Sequence, residues 1–373
     1  MSEKNQSLFR YRLYGSPVSY YTAKVQSYLR YKALPFDLIR VNNKIAETVI
    51  KPATGGWRVI PVLYGSNTGY IQDSSVIIDA LESLHQDVPV TPPGLKQQVV
   101  SALFELLGDD WLVFPAMHYR WNFKRYNLPH ILKAFGQSRT PHWPKPIRWM
   151  GGIKNALKFG VVPRQMLGIN PTNIPAIEKW TTQLLDQLNA HFSLHDYLLG
   201  GRACHGDFSL YGPLHAHLAS DPFPKEHLIK SRQHLQNWLT RMTVTPATTG
   251  DWLPDDEVPA TLIPILQWQG RDQLPYLKKV MAQTADWLSK NSKAEILPRF
   301  IGKTSYGIGS AVGTRLCAPY SQWMYQRVML YIDRAETVPR HELETWLKQH
   351  GIAFDPNQPS HPIVFRASKV RRQ

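Results

Sequence analysis

Hydroxyl side chains are concentrated where an expected strand gives way to an expected helix near the N-terminus. The strand pattern spans Phe9 to Tyr14, and the loop Gly15-Ser16-Pro17 ends it. From Ser19, apolar residues recur at helical spacing as far as about Lys32. A hydroxyl that donates a hydrogen bond at the positive end of a helix dipole stabilises an anion. The candidate donors are Ser19, Ser16, Tyr14, Tyr20 and Tyr21.

Other kinds of catalytic site find little support in the residue types. The two cysteines, Cys204 and Cys317, are too few for a disulfide framework or an all-cysteine zinc site. Gly302-Lys303-Thr304 lacks the upstream glycine that a phosphate-binding loop requires. Two histidine pairs lack the cysteine or carboxylate cluster that would complete a site, so we expect no metal; they are His191 with His195 and His215 with His217.

The first ninety residues alternate strand and helix patterns in the order βαβ, then ββα. Residues 34–39 are predicted to form a second strand, and the short crossover makes it parallel to the first. After a loop rich in proline and glycine, residues 59–63 and 70–72 flank a turn and predict a β-hairpin. A helix then begins at Ser74, with Asp73 or Ser74 as its N-cap. This order predicts a thioredoxin-like α/β domain over residues 1–88.

A proline-rich linker at residues 88–94 separates this domain from a mostly helical remainder, because proline lacks the amide hydrogen that a continuing helix needs. We expect an all-helical second domain over residues 95–245 and a mainly helical extension over 246–373, which packs on or extends the second domain. Arg139 to Gly152 is expected to form a long loop. The other expected elements are helices at 177–192, 208–218, 226–242, 274–288, 319–331 and 339–349, and a strand at 363–365.

The chain is strongly basic, with a formal net charge of +15. Such a charge suits nucleic acid, a membrane surface or a small acid, and does not choose among them. The densest basic cluster is the tail from Arg366 to Arg372, which we interpret as solvated. Neither zinc-finger spacing nor an RNA-binding signature is present, so specific nucleic-acid binding is not expected. Without a signal peptide or a long apolar run, a cytoplasmic location and no membrane span are expected.

Three motifs resemble the N-terminal domain of the glutathione transferase superfamily. They are LYGSPVSYYTAKVQSYLRYKALPFDL, RVIPVLYG and YIQDSSVIIDALE, in that order along the chain. In the second domain, LLGGRACHGDFSLYGPLHAHL is similar to the helix-capping segment of the superfamily, with Cys204 in place of the usual Ser or Thr and Asp207 retained. The resemblance covers roughly residues 8–245 and implies a thioredoxin-like domain followed by the superfamily's helical domain.

The resemblance also implies a serine-type glutathione site. Ser19 takes the place of the activating residue, and Thr22 that of the second cysteine of redox-active relatives, so disulfide exchange is not expected. Tyr20 replaces the proline or small residue that commonly follows, which leaves Ser16, Tyr14, Tyr20 and Tyr21 as rival donors. For the tripeptide, Pro61 corresponds to a cis-proline that lets the Ile60 backbone pair with the cysteinyl part. Asp73 and Ser74 match the pair that holds the γ-glutamyl group. Arg58 is the nearest candidate for the glycyl carboxylate, with Lys44 and Lys51 as alternatives.

An aromatic stretch at the start of the second domain lies where relatives bind a hydrophobic substrate. Its candidate residues are Trp111, Phe114, Met117, His118, Tyr119 and Trp121. The implied function is transfer of glutathione, as co-substrate, to a hydrophobic small-molecule acceptor, by a protein that forms a homodimer. Two alternatives stay open: a non-catalytic binding or scaffold protein of the same fold, and glutathione-dependent ether cleavage or dehalogenation. Aromatic residues at helical spacing are also typical of a core.

Overall fold

The N-terminal region has a four-stranded sheet flanked by helices. The computed structural model describes residues 10–139, 144–246, 249–354 and 359–373. The sheet order is β2-β1-β3-β4, with β1 parallel to β2 and antiparallel to β3. This is the expected thioredoxin-like arrangement. The elements are β1 (Tyr11–Gly15), α1 (Tyr20–Tyr31), β2 (Phe36–Arg40), α2 (residues 43–53), β3 (Val62–Gly65), β4 (Gly69–Gln72) and α3 (Ser74–Leu84).

Side-chain caps decide where the N-terminal helices begin. Ser19 caps α1, and Asn42 caps α2 by accepting a hydrogen bond from the Ile45 N–H at 2.9 Å. The segment before β3 was expected to be a loop, but α2 occupies its first part. Proline near the end of α2 does not break it, and the left-handed Gly55 and Gly56 (φ 62° and 103°) then end the helical segment.

The next region is helical, with two differences from expectation. The predicted loop at Arg139 to Gly152 is wrong over residues 145–152, because a helix begins at Lys145; Pro146 lies in its first turn, where no intrahelical amide hydrogen is needed. Residues 140–143 of the predicted loop lie outside the described residues. The predicted helix at 226–242 is broken at Arg232, and Asn189 Oδ1 caps the second part. The helices are α4 (residues 95–111), α5 (Val113–Asn122), α6 (Lys124–Arg139), α7 (Lys145–Leu167), α8 (Ile174–His191), α9 (residues 205–218), α10 (residues 222–229) and α11 (Gln233–Arg241).

The C-terminal extension combines helices with two β-hairpins. Its glycine-rich segment forms the first hairpin, and the left-handed Gly309 (φ 55°) makes its turn. The basic tail forms the second hairpin instead of a solvated arm: Arg372 Nη2 donates to the carbonyls of Leu288 and Asn291 at 2.8 and 3.0 Å. The elements are α12 (Ile263–Lys290), β5 (Lys303–Ile308), β6 (Ala311–Leu316), α13 (Pro319–Arg334), α14 (Thr337–Gln349), β7 (Ile363–Arg366) and β8 (Lys369–Arg372).

One hydrophobic cluster joins the three regions of the chain. It includes Leu13 of the sheet, Trp111 of the helical region, and Tyr276 and Val328 of the extension. Burial of this apolar surface, at about 25 cal/mol per Å², is the main force that holds the extension against the rest of the chain. The extension therefore packs on the helical region and also on the N-terminal region.

The Asp207 carboxylate fixes the start of α9, as the helix-capping motif predicts. Its Oδ2 accepts from the Cys204 N–H (2.9 Å), and its Oδ1 accepts from the Leu198 N–H (3.1 Å) and the Trp238 indole N–H (3.0 Å). Burial raises the pKa of Asp207 to about 6, although these donors lower it. The side chain is fully buried. Through these hydrogen bonds it joins α9, α11 and the turn before α9.

We expect Asp207→Asn to flatten the pH dependence of stability. Because the folded pKa is raised, Asp207 stabilises the fold fully below its unfolded pKa of about 3.9, and that contribution is lost as pH rises through about 6. The free energy of unfolding of the native protein should therefore lose about 2 to 3 kcal/mol from this group over that interval. Denaturant titrations across the interval measure it. Asp87→Asn, at an exposed position, is the control; an equal slope in the Asp207 variant would contradict the assignment.

Candidate functional site

The strand register brings three of the expected site segments to one edge of the sheet. Tyr14 of β1 lies opposite Val62 of β3, and Val62 lies opposite Gln72 of β4. The residues that follow Tyr14, precede Val62 and follow Gln72 therefore share an edge. These are the Gly15–Ser16 loop, Pro61 and Asp73. The Ile60–Pro61 peptide bond is cis, as the resemblance implies.

The two candidate serines differ in their hydrogen bonds. Ser19 Oγ accepts a hydrogen bond from the Thr22 N–H at 3.4 Å, so it caps α1 and its own hydrogen stays available to a ligand. The backbone N–H of Ser16 donates to Thr22 Oγ1 at 3.2 Å, while its hydroxyl makes no hydrogen bond within the described residues. Both side chains are partly exposed. Thr22 thus supports the loop that presents both serines.

Two of the candidate tyrosines, Tyr20 and Tyr21, contact the helical region. Tyr20 is buried and meets the His217 ring edge-on at 5.5 Å between centroids. The Tyr21 hydroxyl donates to the backbone carbonyl of Asp109 at 3.0 Å. Burial raises the pKa of both phenols, that of Tyr20 well above its ordinary value. Both therefore stay protonated near neutral pH, and they anchor α1 to the helical region.

The free backbone N–H groups at the start of α3 donate to a side chain of the protein itself. Asp73 is buried, with a φ of 88°, and its Oδ1 accepts from the Ser75 N–H (2.9 Å) and the Val76 N–H (3.3 Å). The hydroxyl of Tyr320, at the start of α13, donates to Asp73 Oδ2 at 2.6 Å. Burial raises the pKa of Asp73, and the Tyr320 bond lowers it. The extension thus contacts the residue expected to face the γ-glutamyl group; Ser74 beside it is also buried.

Arg58 belongs to a surface ion pair. It is exposed and forms an ion pair with Glu47 of α2. Exposed pairs of this kind contribute only about 0 to 1 kcal/mol, so Arg58 can exchange partners at little cost. Ile60, which follows on the same loop, is partly exposed, whereas Pro61 is buried.

A buried charge cluster lies directly behind the start of α3. Lys24 Nζ donates to Glu105 Oε1 (2.9 Å), Asp109 Oδ2 (2.7 Å) and Ser75 Oγ (2.9 Å). Arg327 of α13 pairs with Glu105 at 3.1 Å. Burial raises the pKa of Glu105, but Arg327 and Lys24 outweigh it and hold that pKa well below its ordinary value. Burial raises the pKa of Asp109 to about 6 despite Lys24.

Sequence reasoning missed this cluster, although a signal was present. Lys24 lies on the apolar face of α1, beside Tyr21, Val25 and Tyr28 at helical spacing. A lysine on a buried face requires acidic partners. Glu105 and Asp109 are spaced i, i+4 within an apolar helix, which places both on one face and could have identified them.

The expected substrate pocket is filled by the extension. Trp111 and Phe114 are completely buried, and the Phe114 ring lies 4.6 Å from that of Tyr306. The Arg315 guanidinium lies over the Phe114 ring at 5.2 Å and over the Tyr276 ring at 4.7 Å. It also pairs with Asp110 at 3.3 Å. These aromatic side chains therefore form core contacts instead of lining an open cavity.

The remaining aromatic candidates are also packed. His118 is buried, with Nε2 2.8 Å from Glu178 Oε1 and Nδ1 2.6 Å from Asn122 Nδ2. Tyr119 stacks on Phe123 at 5.6 Å between centroids. Met117 is partly buried and Trp121 is buried. His118 and Tyr119 thus contact residues of the helical region.

Three further observations concern metal ions, membrane spans and cavities. Within the described ranges, no group of three or more His, Cys, Asp or Glu side chains lies close enough to hold a metal ion. Across the same part of the chain, no helix is long and apolar enough to cross a membrane. Two cavities, of about 290 and 310 Å³, lie elsewhere, the first beside Arg30 and Phe36 and the second beside Tyr197 and Arg241.

Comparison with solved structures gives matches over roughly two thirds of the chain. A glutathione S-transferase from Methylobacterium radiotolerans, in complex with glutathione sulfonate, is 19% identical over 65% of this chain and 99% of its own, with a TM-score of 0.37. Beta-etherase LigF from Sphingobium sp. strain SYK-6 is 16% identical over 64% and 96%, with a TM-score of 0.43. Glutathione transferase GSTFuA3 from Phanerochaete chrysosporium is 18% identical over 62% and 96%, with a TM-score of 0.44.

Sequence comparison gives one family match. No curated protein matches the chain. The family model of the glutathione S-transferase N-terminal domain matches residues 13–89, which span β1 to α3 with the cis-proline and the capped start of α3. Residues 13–89 are therefore a glutathione S-transferase N-terminal domain.

Proposed function

We propose that the protein binds glutathione at the sheet edge formed by the Gly15–Ser16 loop, Pro61 and Asp73. The register that aligns Tyr14, Val62 and Gln72 carries this proposal, because it places those segments side by side. In this proposal the Ile60 backbone and Pro61 hold the cysteinyl part, and Asp73 and Ser74 hold the γ-glutamyl group. Arg58 takes the glycyl carboxylate after leaving Glu47.

The proposed activity is nucleophilic transfer of glutathione to a hydrophobic electrophile. An unperturbed thiol has a pKa of about 8.5, so little thiolate is present at neutral pH. Ser19 is the proposed thiolate donor, because its hydrogen is free and it lies at the N-terminus of α1, where the helix dipole also favours an anion. The thiolate sulfur forms a bond to the electrophilic carbon, and the leaving group departs with its bonding electrons. A pKa lowered by two units corresponds to about 2.7 kcal/mol.

In this proposal, glutathione binds only if residues of the extension move away from the site. The Asp73 carboxylate already accepts from Tyr320, at 2.6 Å. The γ-glutamyl ammonium must replace this hydroxyl to reach the carboxylate. The acceptor likewise requires space beside Trp111 and Phe114, where Tyr306 and Arg315 lie.

The same packing favours a second candidate, a non-catalytic binding or scaffold protein. If the extension keeps its position, Asp73 stays occupied and the aromatic residues stay in the core. Titration of the full-length protein with glutathione, with thiolate absorbance as the readout, separates the two. Binding with a lowered thiol pKa supports the transferase, binding with an unchanged pKa supports the non-catalytic protein, and no binding overturns both glutathione proposals.

Ser19→Ala should raise the pKa of bound glutathione by about one unit, because the donor to the thiolate is lost. It should also cost about 1 kcal/mol of stability through the lost helix cap. Ser16→Ala is the matched control, since the Ser16 hydroxyl makes no hydrogen bond within the described residues. Ser19→Thr keeps both hydroxyl and cap and should restore the low pKa. An effect in the Ser16 variant alone would transfer the role to Ser16, and no effect in either would rule out serine activation.

A further inference from the structure

A long stretch of the helical region contains no acidic residue. Residues 111–177 hold ten lysines and arginines and no aspartate or glutamate, within a chain whose net charge is +15. One of the ten, Arg120, is buried and pairs with Asp221 at 2.7 Å. The excess charge of the protein is therefore concentrated in this segment, most of which forms α6 and α7.

Helices α6 and α7 form an antiparallel hairpin. A Cβ added at Gly136 of α6 would lie 2.2 Å from the Arg148 carbonyl oxygen, and one added at Gly152 of α7 would lie 2.4 Å from that of Leu132. These two close approaches place the helices side by side and in opposite directions. Leu132, Phe135 and Ala156 form a small core between them.

The hairpin leaves large apolar side chains in water. Trp149, Met150 and Ile153 are 47%, 68% and 47% exposed. Their spacing places them on one face of α7, since positions three and four apart are neighbours on a helix. Tyr126 of α6 is also half exposed. Single exposed apolar residues are ordinary, but a contiguous group marks an interaction surface.

Exposed cations accompany this apolar face. These cations lie on the other helix of the hairpin: Lys124, Arg125 and Lys133 of α6 are exposed, and none forms an ion pair within the described residues. Lys133 is level with the apolar group, and Lys124 and Arg125 lie toward the far end of α6. An amphipathic helix with aromatic and aliphatic residues on one face and cations around it lies in the headgroup region of a bilayer. Each nearby cation adds attraction to anionic lipid.

We propose that the α6–α7 hairpin docks on an anionic membrane surface, with Trp149, Met150 and Ile153 entering the headgroup region. This inference is independent of glutathione. Nucleic acid suits the charge but offers no apolar phase for Met150 and Ile153. Attachment is peripheral, because no helix in the described part of the chain is long and apolar enough to cross a bilayer.

Co-sedimentation of the full-length protein with lipid vesicles tests the proposal. Vesicles of phosphatidylcholine with about one third phosphatidylserine should bind the protein, and phosphatidylcholine alone should bind much less. The Trp149→Ser/Met150→Ser variant should partition at least about tenfold less. Lys124→Glu/Arg125→Glu should lose about fivefold for each cation removed, or more, and the loss should shrink at high salt.

The controls use apolar residues at other exposed sites. Leu194→Ser and Val312→Ser alter side chains that are 70% and 76% exposed but lie outside the hairpin, and both should bind like the native protein. Circular dichroism confirms that each variant keeps its helices. Equal binding by the Trp149/Met150 variant would overturn the proposal. Binding of a DNA duplex, unaffected by that variant and lost in the charge variant, would replace the membrane with nucleic acid.

Discussion

Glu105→Ala should lower the free energy of unfolding by about 3 to 5 kcal/mol, because it leaves two buried cations without their shared partner. Lys24 Nζ lies 2.9 Å from Glu105 Oε1, and Arg327 Nη2 lies 3.1 Å from Oε2. All three side chains are largely or fully buried. Glu105 therefore links α1 of the N-terminal domain to α13 of the extension. Urea titration followed by circular dichroism measures the loss.

Two further variants show whether the loss of stability in Glu105→Ala comes from the missing charge or from the missing bulk. Glu105→Gln keeps the shape and one acceptor oxygen, and should cost less than Glu105→Ala because one hydrogen bond to the buried cations is retained. Asp109 and Asp79 pair with the two cations in both variants. Glu226→Ala removes an exposed i, i+4 pair with Lys230 and should leave stability almost unchanged, because solvent screens that pair. Equal, small losses at positions 105 and 226 would show that the cluster adds nothing to stability.

Asp73→Asn should weaken glutathione binding about thirtyfold or more, if the proposed γ-glutamyl site is correct. Asparagine tolerates the positive φ of this position, and its side-chain oxygen still caps α3, so the fold is kept. What is lost is the charge that would face the ligand ammonium. Truncating one partner of a buried charge pair costs about 2 to 5 kcal/mol, which sets the expected factor. Isothermal titration calorimetry with glutathione gives the dissociation constant.

Tyr320→Phe should act in the opposite direction. It removes the hydroxyl that donates to Asp73 at 2.6 Å, so glutathione no longer competes with it. A hydrogen bond to a charged group contributes about 1.5 to 3 kcal/mol, and binding should tighten by at least about tenfold. Tyr126→Phe, on the exposed face of α6, serves as the control. If neither Asp73→Asn nor Tyr320→Phe changes the affinity, the ligand does not reach the start of α3.

The N-terminal fold could be predicted from sequence because its signals are local. Strand alternation up to Tyr14, helical spacing after Ser19 and the hairpin around Gly65 to Gly69 each depend on neighbours within a few residues. The α9 cap at Asp207 was visible for the same reason. The loop expected at Arg139 to Gly152 is wrong over residues 145–152, because proline breaks a helix only in its interior and Pro146 lies in a first turn.

The surroundings of the candidate site could not be predicted, because they depend on contacts between distant parts of the chain. Tyr320 reaches Asp73 across 247 positions, and Arg327 reaches Asp79 across 248. No local pattern reports which helix covers the start of α3. The acid-free stretch at residues 111–177 is visible in the sequence, but only the packing of α6 on α7 shows which apolar residues stay exposed.

The pairing of Arg327 with Glu105 and Asp79 also determines when the N-terminal domain can complete its contacts during synthesis. Domains generally fold from the N-terminus as they emerge, and contacts between distant residues form late. The sheet and its helices are complete in sequence when Leu84 has emerged, yet the guanidinium that pairs with Asp79 arrives 248 positions after it. The nascent N-terminal domain therefore carries acidic groups that stay hydrated until the last fifth of the chain covers them.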